Sequence, residues 1–238
     1  MSPRLRIEGG WPAPVTLSRG WARANARPWN DETSDAFLRL ARGSHDFLAA
    51  ASEDLVDLSR ASVYSPALYP SSTRIWKRCG YEETFHLNVM ERSVTSNRSG
   101  PTTPIDESRT PDWHAIMEID RLAFQGFWRM SLAGLMEAMA STTRSVVLTV
   151  GDTETVGYAI VGAQWNVSYL QRIAVHPEHT GKNIGSDLVR AALAWARRTA
   201  AQTMVLNIRE ENVHARRLYS KEGFVLTGAA LRILRYEV

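Results

Sequence analysis

The chain has little cysteine, little lysine and no long apolar run. Cys79 is the single cysteine among 238 residues, which excludes an intrachain disulfide, a zinc ribbon and a paired-cysteine redox centre. No segment approaches the roughly 18 consecutive apolar residues of a membrane-spanning helix, and residues 1–20 lack the apolar stretch of a secretion signal. We therefore expect a cytoplasmic protein without a membrane partner.

The chain also lacks a large excess of charge of one sign. The formal net charge is +3 at pH 7, and the basic residues are scattered along the chain. Because proteins that bind nucleic acids concentrate Lys and Arg on one face, we expect no nucleic-acid partner. His176 and His179 lack a third ligand nearby, so we expect no metal site. What remains is the composition of a globular protein, with 44% hydrophobic residues, long enough for one large or two small domains.

A composition change divides the chain. Residues 93–110 are rich in Ser, Thr and Pro and poor in apolar residues, which is typical of a linker. We therefore expect domains over residues 1–92 and 111–238. Residues 35–60 carry apolar side chains at helical spacing, which predicts one or two helices there. The first 30 residues show no readable pattern.

Helical and strand patterns alternate after the linker. Apolar spacing predicts helices over residues 112–124, 131–140, 184–200 and 213–222. Runs of β-branched residues predict strands over 145–150, 155–161, 167–175 and 203–208, followed by two more before residue 238. This order indicates an α/β fold.

A faint internal repeat links the two halves. Ile75, Trp76, Gly80 and Tyr81 have the same spacing as four residues of the second half: Leu218, Tyr219, Gly223 and Phe224. A shared origin explains this repeat, but any helix that ends at glycine before an aromatic strand would look similar.

The segment IAVHPEHTGKNIGSDLV, residues 173–189, carries the clearest chemistry. A strand ends at Val175, and a loop with Gly181 and Gly185 leads directly into a helix. Such a loop directs backbone N–H groups and the positive end of the helix dipole to one place, which suits a pyrophosphate. Asn183 fits because asparagine tolerates positive φ. Taken alone, the glycines also suit a simple turn.

A second pattern follows in LNIREENVHARRLYSKEGF, residues 206–224. It matches N-x-x-A-x-x-L-Y-x-x-x-G-F without a gap, through Asn212, Ala215, Leu218, Tyr219, Gly223 and Phe224. In this order, the two segments resemble the signature motifs of the GNAT superfamily of N-acetyltransferases, whose pyrophosphate loop is usually written (Q/R)xxGx(G/A). Thr180 and Asn183 depart from that loop pattern.

The resemblance covers residues 111–238. It implies a GNAT fold, with a mixed, mostly antiparallel sheet flanked by helices, and a partial, degenerate GNAT-like copy in residues 1–92. It also implies acetyl-CoA as the cosubstrate. The residues implied to bind acetyl-CoA are Ile173, Ala174, Val175, Thr180, Gly181, Lys182, Asn183, Ile184, Gly185, Ser186 and Asn212.

Tyr219 is the residue that the resemblance implies for catalysis. A phenol at this position protonates the departing CoA thiolate, whereas Trp76 at the repeated position has no such proton to give. We favour this role for Tyr219 over that of a core residue, and Asn212 suits a helix N-cap together with a bond to the pantetheine arm. The resemblance further implies that a backbone N–H, for example that of Ala174, polarises the thioester carbonyl.

The general base does not follow from these motifs. An amine must be neutral to attack, and family members often carry a Glu on the strand before the loop or on the next strand. Here VSYLQRIAV and VLNI contain no carboxylate. We expect Glu210 and Glu211 to lie in a solvent-exposed loop. The segment FQGFWRM, residues 124–130, suits either a lid on the substrate side or a loop packed on the sheet.

The acceptor implied by the resemblance is a primary amine. LYSKEGF and IAVHPEH resemble the ribosomal-protein alanine acetyltransferases, which favours protein α-amines, and small-molecule amines remain open. Two other functions also remain open: a non-catalytic acyl-CoA-binding module, and an acyltransferase that uses a longer acyl group. We expect a monomer or a homodimer.

Overall fold

The computed structural model describes residues 5–95, 100–152 and 154–237. The helices are α1 (His45–Ser59), α2 (Arg74–Arg78), α3 (Trp113–Ala123), α4 (Leu132–Ala140), α5 (Ile184–Arg198) and α6 (Val213–Lys221). The strands are β1 (Arg6–Glu8), β2 (Val15–Arg19), β3 (Ala22–Pro28), β4 (Ala36–Arg42), β5 (Val63–Tyr64), β6 (Glu82–Ser93), β7 (Asp106–Ser108), β8 (Arg144–Val150), β9 (Gly157–Gln164), β10 (Val167–Val175), β11 (Thr203–Arg209) and β12 (Val225–Tyr236).

The chain packs as two compact units. The first contains the residues up to Leu87 and those from Ala230 onwards, and the second contains Asn88–Ala229. Strands β6 and β12 therefore each contribute residues to both units. Because packing does not show where a repeat begins, the domain limits 1–92 and 111–238 stay a prediction.

The first unit is a sheet with the strand order β1-β2-β3-β4-β5-β12-β6. Neighbours from β1 to β4 are antiparallel, whereas β4 and β5 are parallel through Ala36 and Val63. Helix α1 packs on one face, where its Phe47, Leu48 and Leu55 are buried with the strand residues of that face.

The prediction of one or two helices over residues 35–60 is wrong for the first part of that range. Ala36–Arg42 is strand β4, and only His45–Ser59 is a helix. The apolar run at the start of β4 fits the spacing of a helix and that of a strand, and pairing with β3 and β5 stabilises the strand. The first 30 residues, which show no readable pattern, contain β1, β2 and β3.

The second unit has the strand order β12-β6-β11-β10-β9-β8-β7. Strands β7 to β10 are antiparallel neighbours, and β10 pairs with β11 in parallel. Strand β9 is buried on both faces. Ala159 and Val161 face the core beneath α5, and Tyr158 and Ile160 face the core beneath α3 and α4. This is the predicted mixed, mostly antiparallel sheet flanked by helices.

Most predicted elements of the second unit are confirmed within a few residues, and β10 matches its predicted limits. Two predictions are wrong. Instead of two final strands there is one, β12 (Val225–Tyr236), in which Gly228 takes φ +77°. The predicted linker 93–110 contains β7 (Asp106–Ser108), which pairs with β8. This strand was not predicted because its three residues include no apolar side chain and leave no strand pattern.

The two units share one order of elements. The first runs β4-α1-β5-α2-β6 and the second runs β10-α5-β11-α6-β12. In each unit the first two strands of this series are parallel. Gly80 and Gly223 follow the second helix at φ +89° and +87°, a conformation that favours glycine. The repeated spacing in the sequence therefore corresponds to a repeated succession of helices and strands.

Candidate active site

The parallel pair β10 and β11 separates partway along its length. The two strands pair from Val167 with Thr203 to Tyr169 with Val205, although β10 continues to Val175 and β11 to Arg209. A β-bulge lies between Leu170 and Arg172 on the side of β9. Among the described strands, the β11 side of residues 173–175 therefore has no partner.

The alternation of β10 determines which amides face this gap. The N–H of His176 bonds to the carbonyl of Val156 on the β9 side, and Ala174 lies opposite Tyr158 in the same register. In an antiparallel ladder every second residue bonds to the same neighbour. The N–H of Ala174 therefore faces β9, which contradicts the oxyanion role that the resemblance implied for it. The N–H groups of Ile173 and Val175 face the gap.

The loop after β10 leads into the N-terminus of α5. Gly181 and Asn183 have left-handed φ values of +78° and +62°. The Asn183 side chain does not cap the helix and instead accepts a hydrogen bond from Nζ of Lys221 at 3.4 Å. The first amides of a helix have no partner inside it. Because the Asn183 side chain does not accept from the first amides of α5, these N–H groups can donate to another acceptor.

The corresponding helix of the first unit lacks this arrangement. Gly43 and Ser44 alone separate β4 from α1, and the Ser44 hydroxyl accepts a hydrogen bond from the N–H of Phe47. The Ser44 side chain thus satisfies an amide at the start of α1, whereas the N-cap side chain of α5 satisfies none.

Helix α6 packs closely against the start of α5. A Cβ at Gly185 would lie 3.2 Å from Cδ2 of Leu218, so glycine permits the close approach of the two helices. Asn212 caps α6, since its Oδ1 accepts a hydrogen bond from the N–H of Ala215 at 3.0 Å. The cap that we considered for Asn212 is present, and the Nδ2 group remains as a donor.

Tyr219 is buried on α6, with 7% of its surface exposed. Burial raises the pKa of Tyr219 to about 12, and the positive charge of Arg172 partly opposes this rise. Its hydroxyl makes no hydrogen bond with the described residues, whereas its ring packs 5.9 Å from that of Phe224. Tyr219 is thus both a core residue and a protonated phenol with an available hydroxyl.

Arg172 and Asp120 form a buried ion pair that the sequence did not indicate. Arg172 donates from Nε and Nη2 to the two Asp120 oxygens at 2.7 and 2.9 Å. Asp120 also accepts from the hydroxyl of Tyr158 and the N–H of Met130. Four donors use the acceptor positions of this carboxylate. Asp120 therefore serves to hold its neighbours and is unsuited to take a proton from a substrate.

The same pair anchors the segment 124–130. The Arg172 guanidinium lies 3.5 Å from the ring centre of Phe124 and donates to the carbonyl of Trp128 at 2.9 Å. Phe124 and Met130 also pack against the core beneath α3 and α4. Of the two arrangements considered for this segment, the structure shows a loop packed on the sheet, with a short helical turn at Gly126–Trp128.

Asp187, in the first turns of α5, binds part of the predicted linker. Its carboxylate accepts hydrogen bonds from the N–H and hydroxyl groups of Thr102 and Thr103 at 2.8–3.1 Å. Burial alone would raise the pKa of Asp187, but these hydrogen bonds outweigh it and lower the pKa. The contact fixes this segment beside α5, the helix that follows the loop with Gly181.

Arg190 connects α5 to the end of α6. It donates to both Glu222 oxygens at 3.2 and 3.0 Å and lies 3.4 Å from Asp187. Arg92 of β6 bonds to the Glu222 carbonyl at 2.6 Å. Because Glu222 closes the helix that carries Tyr219, this network fixes the tyrosine relative to the loop.

The remaining polar residues considered for the site lie at the surface. Thr180, Lys182, Glu210 and Glu211 are exposed. The described residues contain no group of three or more potential metal ligands from His, Cys, Asp and Glu. Where the structure describes a helix, none is long and apolar enough to cross a bilayer.

The model of a family described as "Acetyltransferase (GNAT) family" matches residues 113–224, which include the loop, α5 and α6. This segment belongs to the GNAT family. The matched segment includes Thr180 and Asn183, the two departures from the loop pattern.

A curated relative supports the GNAT assignment over a short stretch. Fifty-five residues are 40% identical to "Uncharacterized N-acetyltransferase YobR" of Bacillus subtilis (strain 168). The match covers 23% of this chain and 22% of that relative. Because it spans about a fifth of the relative's length, it does not extend an activity to the whole chain.

Solved GNAT structures match nearly the whole chain. A tandem GNAT protein from the clavulanic acid biosynthesis pathway is 16% identical, with a TM-score of 0.63 over 100% of this chain and 84% of that chain. A GCN5-related N-acetyltransferase from Sphaerobacter thermophilus is 17% identical, with a TM-score of 0.56 over 95% and 81%. A putative GNAT acetyltransferase from Novosphingobium aromaticivorans is 16% identical, with a TM-score of 0.59 over 97% and 90%. At such identities the matches confirm the GNAT fold alone.

Proposed function

We propose that this protein transfers an acetyl group from acetyl-CoA to a primary amine by direct attack of the amine on the thioester. The observation that carries the proposal is the separation of β10 from β11 after Tyr169 and Val205, next to a helix start that its N-cap side chain leaves uncapped. An extended pantetheine arm fits the first feature and a pyrophosphate fits the second.

The residues around the gap fit acetyl-CoA. The N–H groups of Ile173 and Val175 face the gap and would pair with the pantetheine amides, while Ala174 shapes the opposite, buried face. The amides of the loop and first turn would bind the pyrophosphate, with the flanking side chains of Thr180 and Lys182 exposed beside it. Nδ2 of Asn212 would donate to the pantetheine arm. The amides proposed to bind the pyrophosphate belong to Gly181, Lys182, Asn183, Ile184, Gly185 and Ser186.

The chain's own groups supply the catalytic steps. A backbone N–H that faces the gap, at Ile173 or Val175, would stabilise the negative charge that develops on the thioester oxygen. Tyr219 would donate its phenolic proton to the sulfur as the carbon–sulfur bond breaks. Since burial raises the pKa of Tyr219 to about 12, this proton is held throughout the physiological pH range.

The proposal is tested by thiol release from acetyl-CoA with four acceptors: a peptide with a free α-amine, an N-acetylated peptide with one lysine, glucosamine and spermidine. The proposed activity requires amine-dependent thiol release by at least one of them. Binding of CoA without thiol release would instead support the acyl-CoA-binding module, which the departures at Thr180 and Asn183 suggest.

Three finer properties remain predictions. A preference for acetyl over longer acyl groups would appear as faster turnover of acetyl-CoA than of propionyl- or succinyl-CoA. The monomeric or homodimeric state is measurable by sedimentation, and the cytoplasmic location by fractionation. The resemblance of the loop and of α6 to protein α-amine acetyltransferases makes the α-amine peptide the first acceptor to test.

A further inference from the structure

Strand β6 places a carboxylate next to β11, level with the last residue pair before β10 and β11 separate. The N–H of Val94, just after β6, bonds to the carbonyl of Gln202, just before β11, at 2.8 Å. Because the end of one strand meets the start of the other, the two neighbours are antiparallel, and counting back along the ladder puts Glu91 beside Val205. Val205 pairs with Tyr169 in the last pair before the strands separate.

Alternation along β6 puts the Glu91 side chain on the substrate face of the sheet. Met90 and Val94 belong to the core beneath α5, and Arg92 bonds to Glu222 at the end of α6. Since successive side chains of a strand point to opposite faces, Glu91 faces away from α5 and α6. It lies on the face to which Arg172 and the segment 124–130 belong.

Glu91 has the properties that Asp120 lacks. It is exposed, and within the described ranges its carboxylate forms no hydrogen bond or ion pair. Tyr169 is its neighbour on this face across β11, with 38% of its surface exposed. Val205 is apolar and Tyr169 carries a hydroxyl, so Glu91 is the carboxylate among these three neighbouring residues.

Few other charges face Glu91 from the neighbouring strands. On β11, Arg209 shares the face and lies 3.4 Å from Glu211. On β10, Arg172 shares it and is neutralised by Asp120. On the other side, residues 225–229 of β12 carry no charged side chain. An amine that approaches the gap from this face therefore meets Glu91 without a competing cation on β12.

We propose that Glu91 is the general base of the transfer, acting directly or through one water molecule. This inference rests on the proposed acetyltransferase function. The carboxylate takes a proton from the attacking nitrogen as the carbon–nitrogen bond forms. The carbon–sulfur bond breaks, its electron pair stays on sulfur, and the sulfur takes the proton of Tyr219. Transfer of the proton from Glu91 through solvent to the tyrosine then restores both groups, so that one amine proton ends on the thiol.

The test compares Glu91→Gln with Glu82→Gln. Both residues are exposed on β6, and the same charge is removed, but Glu82 is the first residue of β6 and belongs to the first compact unit. We expect Glu91→Gln to lower kcat by about 100-fold, as loss of a general base does, with an unchanged Kd for CoA. Glu82→Gln should keep the wild-type kcat. In Glu91→Ala, added sodium formate should restore part of kcat, because it replaces the missing carboxylate.

The outcomes separate this inference from the proposed function. If the wild type transfers acetyl groups and Glu91→Gln keeps its kcat, Glu91 is not the base. If kcat falls and formate does not restore it in Glu91→Ala, or if CoA binding weakens together with kcat, the role is structural and the inference is wrong. If the wild type releases no thiol with any of the four acceptors, the proposed function fails, and the role of Glu91 fails with it.

Discussion

Replacing Tyr219 by Phe removes one hydroxyl from the proposed site and little else. The hydroxyl has no hydrogen-bond partner among the described residues, so its loss leaves no group unsatisfied, and the free energy of unfolding near neutral pH should change by less than about 0.5 kcal/mol. Turnover should nevertheless fall by about 100-fold, the lower end of what general acid catalysis contributes. This corresponds to roughly 2.7 kcal/mol in the barrier.

The assay is thiol release at saturating acetyl-CoA, with the peptide α-amine as acceptor, together with calorimetric titration of CoA. We expect an unchanged Kd and a reduced kcat between about pH 6 and 9. Equal kcat values for Tyr219→Phe and the wild type over this range would refute the assigned role.

The same substitution has a second signature at high pH. Burial raises the pKa of Tyr219 from 10.0 to about 12, so the unfolded chain loses this proton before the folded chain does. The associated stability is fully present below pH 10 and is lost as pH rises from 10 to 12. At pH 11 the wild type should have lost about 1.4 kcal/mol more than Tyr219→Phe. Urea denaturation at pH 8 and pH 11 measures this difference, and equal losses in both proteins would contradict it.

Three other substitutions probe the surroundings. Gly181 has φ +78° and open space around a Cβ. Backbone strain of about 1–2 kcal/mol in Gly181→Val should therefore weaken CoA binding by about 5- to 30-fold, whereas Gly181→Asn should bind nearly normally. Calorimetry measures both variants, and equal affinities of the two would contradict this. Arg172→Met leaves Asp120 buried without its cation, which should lower the free energy of unfolding by about 3–5 kcal/mol; an unchanged Tm would argue against the ion pair. Because the pKa of Asp187 is lowered, its stabilisation is present above the unfolded value of 3.8 and is lost as pH falls. Asp187→Asn should therefore be less stable than the wild type at pH 7, and this difference should shrink as pH falls below 3.8 towards the lowered pKa of the folded protein. A difference that stays constant on acidification would disprove this.

Local patterns predicted the loop region well. Strand β10 and the start of α5 have the predicted limits, because β-branched and aromatic residues, a proline and two glycines mark them directly. Residues 35–42 were predicted less well, since Phe37, Leu38 and Leu40 fit a helix and a strand equally. Their partners in the sheet decide the outcome, and these partners lie outside any local window.

The polar contacts of the site depend on sheet order, which local spacing does not show. Asp120 and Arg172 are distant in sequence, and they meet because α3 packs over β10. The motifs do not indicate Glu91 as a base, because they point only to the strands on either side of the loop. Strand β6 comes from before the predicted linker and lies next to β11. From the helix and strand patterns alone, β6 would be assigned to the domain before the linker, away from β11.

The central claim is that the amides at the start of α5 bind the pyrophosphate of CoA. A crystal structure of the protein with CoA tests this claim most directly. We predict pyrophosphate oxygens within hydrogen-bonding distance of backbone N–H groups between Gly181 and Ser186, with the pantetheine arm along Ile173–Val175. CoA bound elsewhere, or a pyrophosphate held only by side chains away from this helix start, would contradict it.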